Sequence, residues 1–219
     1  MDRNRWDERY RVAELVWTAA PNQFVVSEVE GLTPGTAVDL ACGEGRNSVW
    51  LAEQGWHVTG VDFSTEGLAK AARLAQSRGV EVTWEAVAVD EWVAPEGGVD
   101  LVVLCYLQLP RPERDAVLAK AAAAVAPGGT LVVVAHDRDN LVRGFGGPPS
   151  ADVLYDVTDV VAAAESAGLD TRRADQAVRV VATDDGPREA IDTVVRAVRE
   201  PTGPASDPEI GGAGPGLTI

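Results

Sequence analysis

Short apolar runs alternate with amphipathic stretches along most of the chain. Runs rich in Val, Leu and Ala are typical of strands, and those with few polar interruptions suit a parallel sheet that is buried on both faces. The predicted strands are 37–40, 57–61, 80–86, 99–105 and 130–135. The stretches that separate or follow them show helical spacing, and the predicted helices are 45–54, 64–77, 112–125 and 157–167. This alternation predicts an α/β sheet with mostly parallel strands.

The pattern changes after residue 168. Two β-rich runs, 169–183 and 188–198, flank an Asp-Asp-Gly-Pro turn at 184–187. An Asp-Gly pair between such runs predicts a hairpin. We therefore predict an α/β fold in which a mostly parallel seven-stranded sheet, with helices on both faces, ends in an antiparallel hairpin.

Residues 1–200 are predicted to form one domain, of which 1–32 are an N-terminal helical cap. The cap contains predicted helices at 5–18 and 23–30. We expect the tail 201–219 to be disordered, because its Pro and Gly residues leave little apolar surface to bury.

Composition narrows the possible partners. The 219 residues are 46% hydrophobic and 24% charged, which is typical of a globular protein, and the net charge of −15 disfavours nucleic acid and anionic membranes as partners. Two cysteines and two histidines exclude a disulfide scaffold, a cysteine-built zinc site and an all-histidine site, so no metal is expected. No signal-like run and no stretch of about 18 apolar residues occurs. We expect a cytoplasmic protein, monomeric or homodimeric.

The first predicted strand runs into a glycine-containing turn, DLACGEGRNS at 39–48, which opens the helix 45–54. Gly43 and Gly45 let the backbone approach a ligand closely, and the free N–H groups of the helix start supply donors. The next strand ends in Asp62, where an acid can accept hydrogen bonds from the hydroxyls of a ribose. These residues predict a nucleoside-binding pocket, since the carboxyl ends of parallel strands share one edge of the sheet.

A nicotinamide dinucleotide is the competing ligand for such a pocket. The third glycine of the dinucleotide-binding pattern is Ser48 here, and Asp39 places an acid at the end of the first strand. That acid would repel a pyrophosphate, whereas it would attract a ligand that carries a sulfonium and an ammonium. An NAD-dependent oxidoreductase is therefore the less favoured interpretation.

The same motifs resemble class I S-adenosylmethionine-dependent methyltransferases. The turn at 39–48 looks like the cofactor loop of this family, and its Gly-Arg-Asn-Ser ending resembles the tellurite-resistance and thiopurine-type branch. Further matches are WDERY at 6–10, VDFS at 61–64 and PGG at 127–129. The resemblance covers roughly residues 5–199. It implies a Rossmann-like fold, S-adenosylmethionine as cofactor and S-adenosylhomocysteine as product.

The resemblance implies that the turn holds the methionine part of the cofactor. Small residues allow close packing, an aspartate braces the loop or reaches the amino group through water, an arginine pairs with the carboxylate, and an asparagine steadies the helix start. These residues are Asp39, Ala41, Gly43, Gly45, Arg46 and Asn47. Ala41 departs from the family pattern, which usually has a glycine at this position.

The ribose and adenine would lie along the next strand ends. Asp62 would accept both ribose hydroxyls, and Phe63 would lie along the adenine. An acid that is common in the family near the adenine amine aligns with Ala88, and Asp90 lies two positions late. We therefore expect the backbone of Ala88 and Val89 to hold the adenine.

Candidate catalytic residues follow the fourth and fifth predicted strands. The resemblance places Cys105 and Tyr106 beside the sulfonium and the incoming nucleophile. His136 precedes Asp137, and either the two form a general base pair or His136 only hydrogen-bonds to the following loop. That loop, 136–151, is long and rich in Gly, Pro and Arg, which favours a lid or binding loop.

Tyr10 and three arginines extend the candidate site. The resemblance points Tyr10 towards the cofactor, where it would close over the site. Arg143, Arg179 and Arg188 either bind an anionic substrate or are simply solvated.

The sequence therefore predicts a methyltransferase that moves a methyl group to a small-molecule acceptor by in-line displacement. The nucleophile could be sulfur, oxygen, nitrogen or a heavier chalcogen. A soft anion would need little help, whereas a phenol or an amine would need a proton acceptor, for which His136 and Tyr106 are the candidates. A non-catalytic domain that senses S-adenosylmethionine would carry the same loop and is the main alternative.

Overall fold

A computed structural model describes residues 3–11, 15–16 and 18–202 of the chain. Its strands are β1 (Thr36–Leu40), β2 (His57–Val61), β3 (Thr83–Glu85), β4 (Val99–Cys105), β5 (Val125–His136), β6 (Asp170–Val181) and β7 (Arg188–Val198). Its helices are α1 (Arg3–Tyr10), α2 (Gln23–Val29), α3 (Arg46–Glu53), α4 (Thr65–Arg78), α5 (Arg111–Ala123), α6 (Asn140–Arg143) and α7 (Val157–Ser166).

The strands of the described residues form one seven-stranded sheet in the order β3-β2-β1-β4-β5-β7-β6. The first five strands pair in parallel, whereas β7 is antiparallel to both of its neighbours. The predicted mostly parallel sheet with a terminal hairpin is confirmed. The order reverses between β1 and β4, and such a reversal leaves a crevice at the carboxyl ends of the two strands.

Apolar side chains cover both faces of the sheet, as predicted. One face packs against α5 and α7, through buried residues that include Val117, Leu118, Val160 and Ala164. The other face packs against α2 and α3, through Phe24, Val25, Val29 and Leu51. The near-continuous apolar run of β4 serves both layers, since Val102 and Leu104 face the first and Leu101 and Val103 face the second.

Most predicted helix ends have the expected caps. Ser64 precedes α4 and its hydroxyl accepts a hydrogen bond from the N–H of Gly67 at 3.1 Å. Gly79 follows α4 in the left-handed conformation, with a φ of +69°. These two residues satisfy backbone groups that the helix itself leaves unpaired, so the helix begins and ends where the sequence predicts.

Two predicted boundaries are wrong. The first helix was expected to continue to Thr18, but α1 ends at Tyr10, and Leu15, Val16 and Thr18 are not helical. Residues 12–14 and 17, and the predicted tail from 203 onward, lie outside the described residues. The helix predicted to end at 125 ends at Ala123, and the strand predicted from 130 begins at Val125, so that residues 127–129 lie within β5, beside an irregularity in the β4–β5 register.

The loop that follows β5 is folded back onto the sheet. The side chain of Asn140 accepts a hydrogen bond from the N–H of Ile191 at 2.7 Å and donates one to the carbonyl of Gly146 at 2.8 Å. Asp137 and Tyr155 form an isolated parallel bridge that closes the loop. The predicted long loop is therefore clamped at both ends. None of the helices in the described part of the chain is long and apolar enough to cross a membrane.

Candidate cofactor and acceptor site

The turn after β1 adopts a conformation that favours small residues. Ala41, Gly43 and Gly45 all have positive φ angles, of +58°, +57° and +76°. A Cβ atom on Gly45 would lie 2.6 Å from the Cβ of Ala71 and 2.8 Å from the ring of Trp84. The turn therefore packs tightly against α4 on one side, and it holds Ala41 in a conformation that costs a non-glycine residue free energy.

Asp39 lies at the end of β1 and is buried. Its Oδ2 accepts a hydrogen bond from the hydroxyl of Ser48 at 2.6 Å, whereas its Oδ1 is buried without a partner among the described residues. Burial raises the pKa of this carboxyl to about 6, against the hydrogen bond of Ser48 and the charge of Arg46, which lower it. An unpartnered buried carboxylate oxygen is unfavourable by itself, so this atom is suited to a ligand that brings a donor.

Asp62 lies at the end of β2, as predicted, and is 6% exposed. Its Oδ2 accepts from the N–H of Gly43 at 2.9 Å, and its Oδ1 accepts from the N–H of Ser64 at 2.8 Å. Burial raises the pKa of this carboxyl despite these two bonds. Each carboxylate oxygen can accept a second hydrogen bond, so Asp62 ties the turn to β2 and keeps capacity for ligand hydroxyls.

The helix α1 lies over this part of the site. Tyr10 is 5% exposed. A Cβ atom on Gly67 would lie 3.3 Å from its ring, and a Cβ atom on Gly43 would lie 2.8 Å from its hydroxyl. Asp7 accepts a hydrogen bond from the hydroxyl of Ser64 at 2.5 Å. The opening segment that the sequence assigns to the site is thus in contact with the turn.

The remaining predicted cofactor residues lie in different surroundings. Asn47 accepts a hydrogen bond from the backbone N–H of Asn22 at 2.9 Å, so it ties α3 to the start of α2. Phe63 is half-buried. The carbonyl of Ala88 already accepts from the N–H groups of Glu91 and Trp92, and the side chain of Val89 belongs to the hydrophobic core.

A second polar cluster lies at the same edge of the sheet, and we call it the Asp192 cluster. Asp192 is fully buried near the start of β7, and the β5–β7 register places it directly opposite His136. Its Oδ2 accepts from the hydroxyl of Tyr106 at 2.8 Å and from the Nε of Arg179 at 3.0 Å. Its Oδ1 lies 3.1 Å from the Nδ1 of His136.

The charge of Asp192 is compensated by these neighbours. Burial acts to raise the pKa of Asp192, but the contacts with His136, Arg179 and Tyr106 outweigh burial and hold the pKa below its ordinary value. Asp192 is therefore an anion in the folded protein at neutral pH. A buried carboxylate with three partners is a rigid anchor for each of them.

Tyr106 is held in one orientation from both sides. Its hydroxyl donates to Asp192 and accepts from the side-chain amide of Asn22 at 3.1 Å. Its backbone has a φ of +58°, which is uncommon for a large side chain and turns the ring towards His136, with ring centroids 4.6 Å apart. Burial raises the pKa of its hydroxyl well above the ordinary value.

One sequence hypothesis needs correction here. A general base pair of His136 with Asp137 was one of two alternatives, but the oxygens of Asp137 accept from the N–H of Asp139, the amide of Gln176 and the hydroxyl of Thr193. Asp192 takes that place instead. Sequence reasoning missed Asp192 and Asn22, although the predicted hairpin register could have indicated Asp192.

Of the three arginines singled out, Arg179 joins the cluster and the other two do not. Arg143 pairs with Asp139 at 2.6 Å on the surface, and Arg188 lies over the ring of Phe145 at 5.9 Å. The guanidinium groups of Arg179 and Arg46 lie 5.8 Å and 6.0 Å from the ring centre of Tyr106. Arg46 therefore connects the turn after β1 with the Asp192 cluster.

Cys105 lies at the end of β4, where the charges of Arg46, Asp39 and Asp192 act on its thiol. Burial raises the pKa of its thiol to about 12, partly offset by the charge of Arg46. A thiol with so high a pKa is a poor nucleophile at neutral pH, so we do not expect Cys105 to act as one.

Two cavities in the described part of the chain lie away from this edge. One of about 410 Å³ is lined by residues that include Pro110, Arg114 and Asp152, and one of about 790 Å³ by residues that include Thr36, His57 and Trp84. Neither is lined by Asp39, Asp62 or the Asp192 cluster. The candidate site is therefore defined by its functional groups.

Comparison with known proteins identifies relatives of this chain. Residues 37–129 match a family described as a methyltransferase domain. The ubiquinone biosynthesis O-methyltransferase of Cupriavidus pinatubonensis is 32% identical over 115 residues, which cover 52% of this chain and 46% of that enzyme. The chain thus matches about half the length of this curated relative.

Two solved structures resemble nearly the whole described fold. TehB from Haemophilus influenzae has a TM-score of 0.68 at 15% identity, covering 90% of this chain and 67% of that one. Magnesium protoporphyrin IX methyltransferase from Synechocystis, solved with bound S-adenosylhomocysteine, has a TM-score of 0.64 at 20% identity, covering 90% and 93%. At these identities, the likeness shows that the fold is shared.

Proposed function

We propose that this chain is a class I S-adenosylmethionine-dependent methyltransferase that transfers the methyl group of that cofactor to a small-molecule acceptor, a proposal supported by the match of residues 37–129 to a methyltransferase domain and by the shared fold. The observation that carries the proposal is the buried Oδ1 of Asp39, which has no partner among the described residues and lies beside a glycine turn with a helix start. The methionine part of the cofactor carries an ammonium, and this group supplies the donor that the oxygen needs.

The other ends of the cofactor fit groups at the same edge. Arg46 begins α3, where its guanidinium and the free N–H groups of the first turn suit the cofactor carboxylate. Asp62 keeps lone pairs for the ribose hydroxyls after it has accepted from Gly43 and Ser64. We expect Phe63 to border the adenine, with the backbone near Ala88 and Val89 completing that end.

When bound, S-adenosylmethionine supplies a methyl group on a sulfonium, which a nucleophile can attack in line. The chain's contribution is to align the acceptor with the methyl group and to keep water out. Asp39, Asp62 and Arg46 fix the cofactor ends, whereas α1 covers the side of the site beside Asp62. Tyr10 packs against the turn at Gly43 and Gly67, and we assign it the role of closing the site over the ribose.

A small-molecule acceptor is supported by three observations. The net charge of −15 disfavours nucleic acid. His136 is only 14% exposed and lies against the loop backbone at Gly147, which favours a compact acceptor at this position. The relatives named as acting in ubiquinone biosynthesis and on magnesium protoporphyrin IX have small-molecule acceptors by their names.

The first test is calorimetric titration of the full chain with S-adenosylmethionine, S-adenosylhomocysteine and NAD. We expect binding of the two adenosyl compounds and none of NAD. Asp62→Ala should weaken S-adenosylmethionine binding at least about tenfold, since it removes a charged acceptor of two hydroxyls. Asp185→Ala, the same change at an exposed position of the hairpin turn, is the matched control.

Binding of NAD alone would overturn the proposal in favour of an oxidoreductase. Tight binding of S-adenosylmethionine without turnover on thiols, phenols, amines or tellurite would instead favour a cofactor-sensing domain. Equal affinity of the wild type and Asp62→Ala would contradict the assignment of the ribose site.

A further inference from the structure

We propose that His136 is the general base of the transfer, that Asp192 is its positioning residue, and that the acceptor is therefore a hydroxyl compound of the phenol type. The inference rests on the proposed function and deepens it, because it assigns the proton transfer and the class of acceptor. It is carried by the arrangement of the Asp192 cluster, which the cofactor site does not require.

Tyr106 and His136 are the two proton acceptors that the sequence predicts, and their contacts separate them. The Tyr106 hydroxyl donates its proton to Asp192 and accepts from Asn22, so both of its functions are occupied. An ionised Tyr106 would also lie against the carboxylate that now accepts its proton. Tyr106 is thus a structural partner of Asp192 that shapes the wall of the acceptor site.

His136, in contrast to Tyr106, keeps one ring nitrogen available for a proton. Its Nδ1 lies 3.1 Å from Oδ1 of Asp192, without the alignment of a formed hydrogen bond, and this proximity to a carboxylate favours the tautomer with the proton on that nitrogen. The Nε2 then carries a lone pair, and no hydrogen bond occupies it among the described residues. The side chain is 14% exposed, so part of the ring is accessible while Asp192 and Tyr106 contact it. This is the geometry that a general base requires.

The carboxylate beside the ring supports the transfer of a proton to it. The groups that contact His136 are Asp192 on β7 and Tyr106 after β4. The cations Arg179 on β6 and Arg46 at the start of α3 lie 5.8 Å and 6.0 Å from the ring centre of Tyr106 and by themselves oppose a further positive charge, so the carboxylate is the group that compensates it. Asp192 keeps one oxygen for His136 while Arg179 binds the other, so a protonated imidazole gains a direct counter-ion. The carboxylate thereby stabilises the charge that forms on the base.

The loop after β5 holds the ring from its other side. A Cβ atom on Gly147 would lie 3.1 Å from the Cγ and Cδ2 atoms of His136, so the glycine backbone lies directly against the imidazole. Asn140 anchors this part of the loop through Gly146 and Ile191. Together with Asp192, these contacts leave the imidazole little freedom to rotate.

The reaction then balances with the groups present. The acceptor O–H gives its proton to Nε2 of His136, and an oxygen lone pair forms the new bond to the methyl carbon. The bond between that carbon and sulfur breaks, and its electron pair stays on the sulfur, which becomes the neutral thioether of S-adenosylhomocysteine. The proton leaves His136 to solvent after product release.

The acceptor class follows from the need for this base. A thiol ionises readily near neutral pH and requires little assistance, whereas a phenol holds its proton more tightly. Arg46 and Arg179 flank the Tyr106 ring at 6.0 Å and 5.8 Å, and their charges favour a developing oxyanion there. His136, with Asp192 as its counter-ion and with Arg46 and Arg179 nearby, is therefore suited to an acceptor that has an acidic hydroxyl.

The experiment compares catechol and benzenethiol as acceptors for the full chain, with S-adenosylmethionine binding measured by calorimetry for every variant. We expect catechol to be methylated, and His136→Ala to lower kcat for catechol by about 10²- to 10⁴-fold with cofactor affinity unchanged. Turnover of benzenethiol should fall far less. Added imidazole should restore part of the catechol activity of His136→Ala, which a purely structural role would not allow.

Asp192→Asn tests the positioning role. It should reduce kcat for catechol and displace the acidic limb of the pH profile of kcat/KM, whereas Tyr106→Phe should keep that limb in place. Asp185→Asn on the exposed hairpin turn is the matched control. The acidic limb itself should be absent in His136→Ala.

The outcomes separate the two proposals. If the wild type does not bind S-adenosylmethionine, the proposed function fails. If it binds the cofactor but methylates benzenethiol and not catechol, or neither compound, the base and acceptor assignment is overturned while cofactor binding stands. An unchanged catechol rate in His136→Ala, or a lack of rescue by imidazole, would also overturn it.

Discussion

Asp39→Asn is the change that most directly tests how the cofactor end of the site is built. The substitution keeps the size of the side chain and the acceptor for Ser48, and it removes a buried charge whose Oδ1 has no partner among the described residues. If that oxygen is reserved for the cofactor ammonium, the wild-type carboxylate lowers the stability of the ligand-free protein and improves ligand binding. Stability and affinity should therefore respond in opposite directions.

The magnitude follows from the pKa of Asp39, which burial raises from 3.8 to about 6. The folded protein binds this proton more tightly than the unfolded chain, so stability decreases as pH rises through the interval from about 4 to 6. The full loss is about 3 kcal/mol at neutral pH, of which about 1.4 kcal/mol develops between pH 5 and 7.5. Asparagine has no such dependence, although its buried NH₂ group lacks a partner and costs about 1–3 kcal/mol at every pH.

Urea unfolding of both proteins at pH 5 and 7.5 measures this difference. The wild type should lose about 1.4 kcal/mol more than Asp39→Asn between the two pH values. Asp90→Asn, the same change at an exposed carboxylate, should follow the wild type. Parallel pH dependences of the wild type and Asp39→Asn would refute the reasoning, because Asp39 would then be ionised as easily in the folded protein as in the unfolded chain.

Calorimetry supplies the second half of the test. Asp39→Asn should bind S-adenosylmethionine about 10- to 100-fold more weakly, as expected for the loss of a charge-assisted hydrogen bond. At pH 6 the wild type should release protons on binding, since the cofactor ammonium favours the ionised carboxyl. Titrations in two buffers with different ionisation enthalpies detect this release, and its absence would contradict the proposed contact.

Two glycine substitutions, each with a matched control, test the geometry around the site. Gly45→Ala should lower the free energy of unfolding in urea by about 1–3 kcal/mol more than Gly79→Ala. Both positions have a positive φ, but only at Gly45 would the new methyl group collide with neighbours, namely Ala71 and Trp84. Equal losses would show that the turn has room for a methyl group. Gly147→Ala should lower kcat several-fold without changing S-adenosylmethionine affinity, because its methyl group would press on the His136 ring. Gly146→Ala, at a position with open space and a similar φ, should leave kcat near the wild-type value. Identical rates of the two variants would mean that the loop does not hold the ring.

The sheet was predictable from the sequence because its signals are local. The apolar run of β4 and the caps Ser64 and Gly79 each specify structure within a few residues, and all three behave as predicted. The failures lie where local signals compete. The PGG stretch at 127–129 contains two strong breakers, yet pairing with β4 and β7 keeps the chain extended on either side of it.

The cofactor side of the candidate site was predictable for a similar reason. Asp39, Gly43, Gly45 and Asp62 all lie within two consecutive strand-turn units, so their spacing alone brings them to one edge. The acceptor side depends on contacts between distant segments. Asp192 meets His136 through the antiparallel register, and Asn22 reaches Tyr106 from the start of α2.

The reversed direction of β7 also brings residues from late in the chain to the edge of the sheet where the turn after β1 lies. The family match covers residues 37–129, which contain Asp39, Arg46 and Asp62, whereas His136, Arg179 and Asp192 all follow it. If β7 ran parallel to β5, Asp192 would lie towards the opposite edge of the sheet, far from Asp39 and Asp62. If the Asp192 cluster is the acceptor side, replacing His136, Arg179 and Asp192 together with Asn22 and Tyr106 should change acceptor preference while the turn after β1 stays intact.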